Sequence, residues 1–184
     1  MTELMEKSSA LHFGDDRELL REVLKPYRDN CKYLRSATMS VVDGVATAYG
    51  EFAIPNSCYI DDTGHFNSVE FNICFNQLGY YLTAKCIKER ALAEFSSWNM
   101  DDYYERQLPD ILITALASRF RRAIDSDAFQ GETSFGPFTE RNVRRPMLLN
   151  EMPVRFWDTA GGKATGTVNV VLFSPALSTV SASA

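Results

Sequence analysis

The chain has 184 residues, 45% hydrophobic and 12% aromatic, enough to build one sizeable core. Its net charge of −5 is mild, and the basic group Arg141, Arg144 and Arg145 is too short and too poor in aromatic neighbours to argue for nucleic acid. No apolar run reaches the roughly 18 residues of a membrane helix, and the opening MTELMEKSSALHFGDD lacks the hydrophobic stretch of a signal peptide, so the expectation is a cytoplasmic protein with no membrane partner.

In chain order, Asp15–Lys25 opens with an acidic first turn and carries Leu19, Leu20, Val23 and Leu24 at helical spacing, which predicts a short amphipathic helix stopped by Pro26. Asp43-Gly44 separates two strand-like runs, LRSATMSVV and VATAYGEFAI, and predicts an antiparallel hairpin. A loop bracketed by Pro55-Asn56-Ser57 and Asp61-Asp62-Thr63-Gly64 leads to a helix from about His65 to Ala84, with Thr63 a candidate cap. Apolar residues fall on nearly every side of this helix, the pattern of one packed all round. Ser68, Asn72, Asn76, Gly79 and Thr83 form its polar stripe. Asn67, Glu70 and Gln77 lie instead within apolar faces, where each needs a hydrogen-bond partner or costs about 1–3 kcal/mol.

Asn99, followed by Asp101 and Asp102, predicts a short second helix closed before Pro109. Beyond it, ILITALASRFRRAI, AFQGETSFGPF, MPVRFWD and ATGTVNVVLF have strand length and composition, the last two joined by DTAGG. The polar tail 174–184 is expected to be disordered, leaving 1–173 as one domain. An antiparallel sheet of these strands should wrap the buried helix, an α+β architecture of the hotdog type. Cys31, Cys58, Cys74 and Cys86 show no metal-ligand spacing and are expected to be reduced thiols, with neither metal nor cofactor.

The string TGHFNSVEFNICFNQLGYY, with CYI just before it, resembles the signature of the FcoT-like thioesterases, the family that includes the ScoD-type enzymes. KPY at 25–27, AYGEF at 48–52, WNMDDYYERQL at 98–108, ASRFR at 117–121 and FWDTAGGKATG at 156–166 resemble family segments in the same order. The resemblance implies a homo-oligomer built from dimers and a fatty acyl substrate carried on acyl carrier protein or coenzyme A. For ScoD-type members it implies addition of glycine to the β-carbon of a (2E)-enoyl thioester and hydrolysis to a 3-[(carboxymethyl)amino] fatty acid, as in isonitrile lipopeptide biosynthesis. The alternative is plain hydrolysis of long-chain acyl-CoA. Position by position, the resemblance puts functional tyrosines at Tyr27 and Tyr59, amides at Asn67 and Asn76, and a loop histidine at His65.

The chemistry fits such residues. Attack of an amine on the β-carbon and attack of water on the carbonyl both place negative charge on the thioester oxygen, so one oxyanion site can serve both steps. Backbone N–H groups around Phe66–Ser68, at the positive end of the buried helix, suit that task, and Asn67 or Tyr59 could add a side-chain donor. His65 is the leading general base. Each residue has a plainer reading: His65 and Asn67 as helix-start groups, Asn76 as a core amide, Tyr27 as a core residue with a wet hydroxyl. Glu70 is the rival base, or else the buried partner of Arg119 or Arg121. Those arginines could hold glycine's carboxylate or be ordinary surface charge. Asn67 and Asn76, nine residues apart, project about 180° from each other on one helix, so either one is structural or the pocket lies between subunits.

Overall fold

The structure, a computed structural model, describes residues 10–61, 64–142 and 145–174. Thr63, Arg144 and the tail beyond Ser174 lie outside them. The elements are β1 (Ala10–Phe13), α1 (Arg17–Val23), β2 (Leu34–Val42), β3 (Val45–Phe52), α2 (Ser68–Glu89), α3 (Met100–Arg106), β4 (Ile111–Arg122), β5 (Phe129–Ser134), β6 (Thr139–Asn142), β7 (Pro146–Trp157) and β8 (Lys163–Phe173). The strands form one antiparallel sheet in the order β1-β2-β3-β5-β7-β8-β4, with β6 added along β7.

The hairpin forms where Asp43-Gly44 predicts it. Asp43 (φ 50°) and Gly44 (φ 78°) both take the left-handed conformation that a two-residue turn between right-twisted strands requires. The sequence missed β1 and β6, each of four residues, and the first half of β7, which starts at Pro146 rather than Met152. Pairing to β2, β7 and β8 defines these segments, and no alternation of their own does.

The sheet curls around α2, whose Phe71, Cys74, Phe75, Leu78, Tyr81 and Leu82 are all buried. Aromatic contacts fix the start of this helix: the Phe66 ring lies 4.8 Å from Phe129, and the Phe71 ring 5.0 Å from Phe156. Gln77, fully buried, has the partners its position demands. Its Oε1 accepts from the Tyr33 and Leu34 N–H groups at 3.0 and 2.9 Å, and its Nε2 donates to the Cys31 carbonyl at 2.6 Å.

Those bonds anchor the turn Asp29–Cys31, and there the expectation of four reduced thiols is corrected. Cys31 forms a disulfide with Cys58, 27 residues on, across a Cα–Cα separation of 5.3 Å. Cys74 and Cys86 are free and buried. Local spacing carries no trace of the bond, because the two cysteines meet only once the 29–34 turn and the loop before α2 are both fastened. Closing a loop of this length restricts the unfolded chain by about 3–4 kcal/mol.

Asp16 joins α1 to α2. It caps α1 by accepting from the Leu19 N–H at 3.1 Å and meets Lys85 and Lys88 of α2 at 3.2 and 2.6 Å. Burial alone would raise its pKa, but the bonds from Lys88, the Leu19 N–H and Lys85 outweigh that and lower it to about 2. A depressed carboxylate contributes stability above its unfolded pKa and loses it as pH falls through the folded value. Asp16→Asn should therefore cost about 1–2 kcal/mol at neutral pH. In urea unfolding across a pH series, that deficit should shrink from about pH 4 towards pH 2. A deficit independent of pH would refute the assignment to charge.

Candidate active site at the head of the buried helix

Asn67 is the N-cap of α2, in extended conformation (φ −124°, ψ −175°), and it forms a reciprocal capping box with Glu70. Its Oδ1 accepts from the Val69 and Glu70 N–H groups at 2.9 and 3.4 Å, while Glu70 Oε2 accepts from the Asn67 N–H at 3.1 Å. Because the oxygen must face those donors, the amide nitrogen faces outward. It donates to Tyr59 Oη at 2.6 Å. The phenol oxygen thus receives a hydrogen bond and keeps its own hydrogen for a further acceptor. Tyr59 is 46% exposed, so that acceptor can come from outside the protein.

Two expectations change here. Backbone donors around Phe66–Ser68 are mostly used, the Phe66 N–H by the Ile124 carbonyl and the Asn67 N–H by Glu70, which leaves the first helical N–H, at Ser68, for a ligand. Glu70 is buried, 1% exposed, yet no ion pair joins it to an arginine among the described residues. Its partners are the helix start itself, where a carboxylate is favoured by the dipole. It also borders a polar recess with Ser57, Asp61, Ser126 and Asp127. Arg119 and Arg121 are both exposed on β4. His65 lies exposed in the loop two residues before the cap.

Asn76 sits two and a half turns further along α2, half-buried, with its amide nitrogen held by the Asn72 carbonyl at 2.9 Å and the Asn72 side chain at 3.2 Å. A rise of 1.5 Å per residue puts it about 13 Å from Asn67 along the axis. Tyr27, half-buried after α1, packs against the core near Tyr80 and Cys74. Burial, reinforced by Tyr80 and Cys74, drives its pKa far above that of a free phenol, so Tyr27 is a neutral hydrogen-bond donor rather than a base. Tyr80 and Asn76 together border a narrow apolar crevice between α2 and the sheet, about 20 Å³, room for roughly one water.

The structure therefore brings Tyr59 and Asn67 into contact, with His65 and Glu70 adjoining, whereas Asn76 borders the crevice and Tyr27 packs near Tyr80 and Cys74. Sequence reasoning overlooked Tyr33, whose hydroxyl accepts from the Cys58 N–H at 2.8 Å and steadies the residue before Tyr59. Nothing in its local pattern marks it. Among the described residues no group of His, Cys, Asp and Glu side chains is placed to hold a metal ion, and no helix is long and apolar enough to cross a membrane.

Residues 22–172 match the family model described as FcoT-like thioesterase domain. A (2E)-enoyl-[ACP] glycyltransferase of Streptomyces coeruleorubidus is 49% identical over 153 residues, 82% of this chain and 93% of that protein. A protein of the same name from Mycobacterium marinum is 36% identical over 154 residues, covering 83% of this chain and 84% of its own. Among solved structures, a mutant thioesterase of Pseudomonas aeruginosa reaches a TM-score of 0.51 at 12% identity, over 87% of this chain and 95% of that one. A Shewanella oneidensis protein reaches 0.50 at 10% identity, over 86% and 99%. The structural likeness bears on fold alone, and the fold is the α+β hotdog that the sequence led us to expect.

Proposed function

The chain belongs to the FcoT-like thioesterase family, and on that premise we propose that it is an enzyme that adds glycine to the β-carbon of a (2E)-enoyl thioester on acyl carrier protein and then hydrolyses the thioester. The observation that carries this reading is the likeness to the Streptomyces coeruleorubidus glycyltransferase, 49% identity along 93% of that protein.

In the reaction we envisage, the glycine amine attacks C3 and the electron pair of the C2=C3 bond moves through C1 to the thioester oxygen. The hydroxyl of Tyr59, positioned by the Asn67 amide, donates to that enolate oxygen, with the Ser68 N–H beside it. His65 takes the proton from the attacking nitrogen, and a proton is returned to C2. Water then attacks C1, the same donors hold the tetrahedral oxyanion, and the carrier thiol leaves with a proton. The product is a 3-[(carboxymethyl)amino] fatty acid. In this reading Tyr27 and Asn76 contact the substrate farther along α2, beside Tyr80.

We place the enzyme in the cytoplasm and take its active unit to be a homo-oligomer built from dimers. In support, β4 pairs only with β8 among the described strands, and it exposes Leu112 and Phe120, each to about 40%, close to Val69 of α2 in character and exposure. A twelve-residue edge with apolar side chains invites a second copy.

Mass spectrometry of the acid released from an enoyl-carrier thioester with excess glycine tests the proposal. The expected species carries a carboxymethylamino group at C3. Recovery of the unmodified enoic acid alone would leave a plain thioesterase, and preferential turnover of saturated long-chain acyl-CoA would favour that alternative.

A further inference from the structure

Tyr59 stands in the loop between β3 and α2, where it is exposed and meets Asn67 through its hydroxyl. Pro55, Asn56, Ile60 and Asp61 around it are exposed as well, so core packing does little to set the position of the ring. Cys58, the residue before Tyr59, is held twice. Its N–H donates to Tyr33 Oη at 2.8 Å, and its sulfur is bonded to Cys31. The Cys31 end is firmly anchored. Gln77, buried on α2, donates to the Cys31 carbonyl and accepts from the Tyr33 and Leu34 N–H groups, so the turn that carries Cys31 is pinned to the helix whose head carries Asn67. A line of bonds thus runs from Gln77 through Cys31 to Cys58 and returns through Tyr59 to Asn67, closing on one helix.

Both bonded cysteines are half-buried, within reach of a small thiol from solvent. In the cytoplasm, where we place the enzyme, disulfides are unusual, and those that form serve mostly as redox-sensing or catalytic pairs. Cys74 and Cys86 are buried, and burial pushes both thiols up, so neither competes as an exchange partner. We infer that the Cys31–Cys58 disulfide positions Tyr59 for the reaction and makes the rate of the enzyme depend on whether a dithiol has reduced it. This rests on Tyr59 as the oxyanion donor of the proposed reaction. A thiolate of the dithiol attacks one of the two sulfurs and the S–S bond breaks, and the second thiol of the reductant then resolves the mixed disulfide. Two electrons pass to the protein, the reductant leaves as its own disulfide, and its two protons end on the Cys31 and Cys58 thiols. The Tyr33 bond then holds Cys58 alone, and the Tyr59 hydroxyl spreads over positions from which it reaches the thioester oxygen only part of the time.

The test compares the oxidised full chain with the same protein reduced by dithiothreitol and freed of reductant by gel filtration under nitrogen, so that no added thiol reaches the thioester substrate. Iodoacetamide labelling of the folded, reduced protein should add two groups by intact mass, with Cys74 and Cys86 shielded. Acid release from a (2E)-enoyl carrier thioester with glycine is read by mass spectrometry. On reduction kcat should fall about tenfold, less than the loss of a whole oxyanion donor because the Tyr33 bond remains, and it should return on reoxidation. KM should change less than kcat. Cys31→Ser combined with Cys58→Ser should hold the low rate with or without dithiothreitol. In Tyr59→Phe, where the hydroxyl is already gone, reduction should change kcat by less than about twofold, whereas a bond that only stabilised the fold would slow this variant as much as the parent. A parent rate within about twofold after reduction, an equal loss in Tyr59→Phe, or a loss that follows unfolding in circular dichroism would overturn the inference. Release of the unmodified enoic acid would sink the proposed addition and still leave the oxidised-to-reduced ratio readable, so the two failures are distinct.

Discussion

Replacing Asn67 by aspartate should leave the fold intact and remove most of the activity. Aspartate caps a helix about as well as asparagine does, so the bonds from the Val69 and Glu70 N–H groups survive. What disappears is the N–H that reaches Tyr59, and in its place stands a carboxylate, which would draw the phenol hydrogen to itself. With the Tyr59 donor turned away from substrate, kcat should fall about 10²–10³-fold, the usual effect of losing one oxyanion donor. Asn67→Ala should lose a similar amount of rate and, in addition, about 1 kcal/mol of stability with the cap. Steady-state kinetics beside thermal melting of the two variants separates these effects. If Asn67→Asp kept near-full activity, the amide would be only a cap. His65→Ala should likewise abolish turnover with assembly unchanged, whereas Glu70→Gln should hurt less. A dead Glu70→Gln beside an active His65→Ala would exchange the two roles.

Mixing an inactive Asn67 variant with an inactive Asn76 variant should restore activity, to about a quarter of the original level if subunits exchange at random and each pocket draws on two chains. The geometric reason is plain. Asn67 and Asn76 lie at different heights of one continuous helix, α2, and among the described residues they share no hydrogen-bond partner. If both act on one substrate, either a long acyl chain spans the gap or a second copy brings its own α2 alongside. Complementation distinguishes these, since a substrate spanning the gap within one subunit permits no rescue. Verified subunit exchange without recovered activity would count against the shared pocket and favour a substrate that spans both asparagines of one chain.

Much of the fold and part of the candidate site were legible in the sequence because local chemistry dictates them. Asp43-Gly44 can hardly be anything but a tight turn between the strands that flank it. The apolar circumference of α2 requires a sheet around it, and the loop-to-helix boundary with Asn67 and Glu70 announces a capped, partly buried helix start. The family motifs then concentrate attention on His65, Tyr59 and Asn67, and the sequence alone singled out Gln77 as a buried amide in need of partners.

Tertiary structure decided what depends on segments far apart in the chain. The partners of Gln77 lie more than forty residues earlier, in a turn whose position only packing fixes. The Cys31–Cys58 disulfide and the Tyr33 bond to Cys58 follow from that same packing, so spacing could not reveal them. Glu70 was open to an arginine partner by composition, but an N3 carboxylate reaches its own helix start at no cost in chain closure, and β4 carries Arg119 and Arg121 to solvent. β1 and β6 exist because neighbours offer them unpaired backbone edges, a property of the sheet rather than of four residues. Sequence determined which groups must be buried, capped or turned, since those demands are local and strong. The contact between Tyr59 and Asn67, and the narrow crevice between α2 and the sheet, arise only when α2 is set into the curled sheet, because distances across a core are fixed by packing and not by the order of residues.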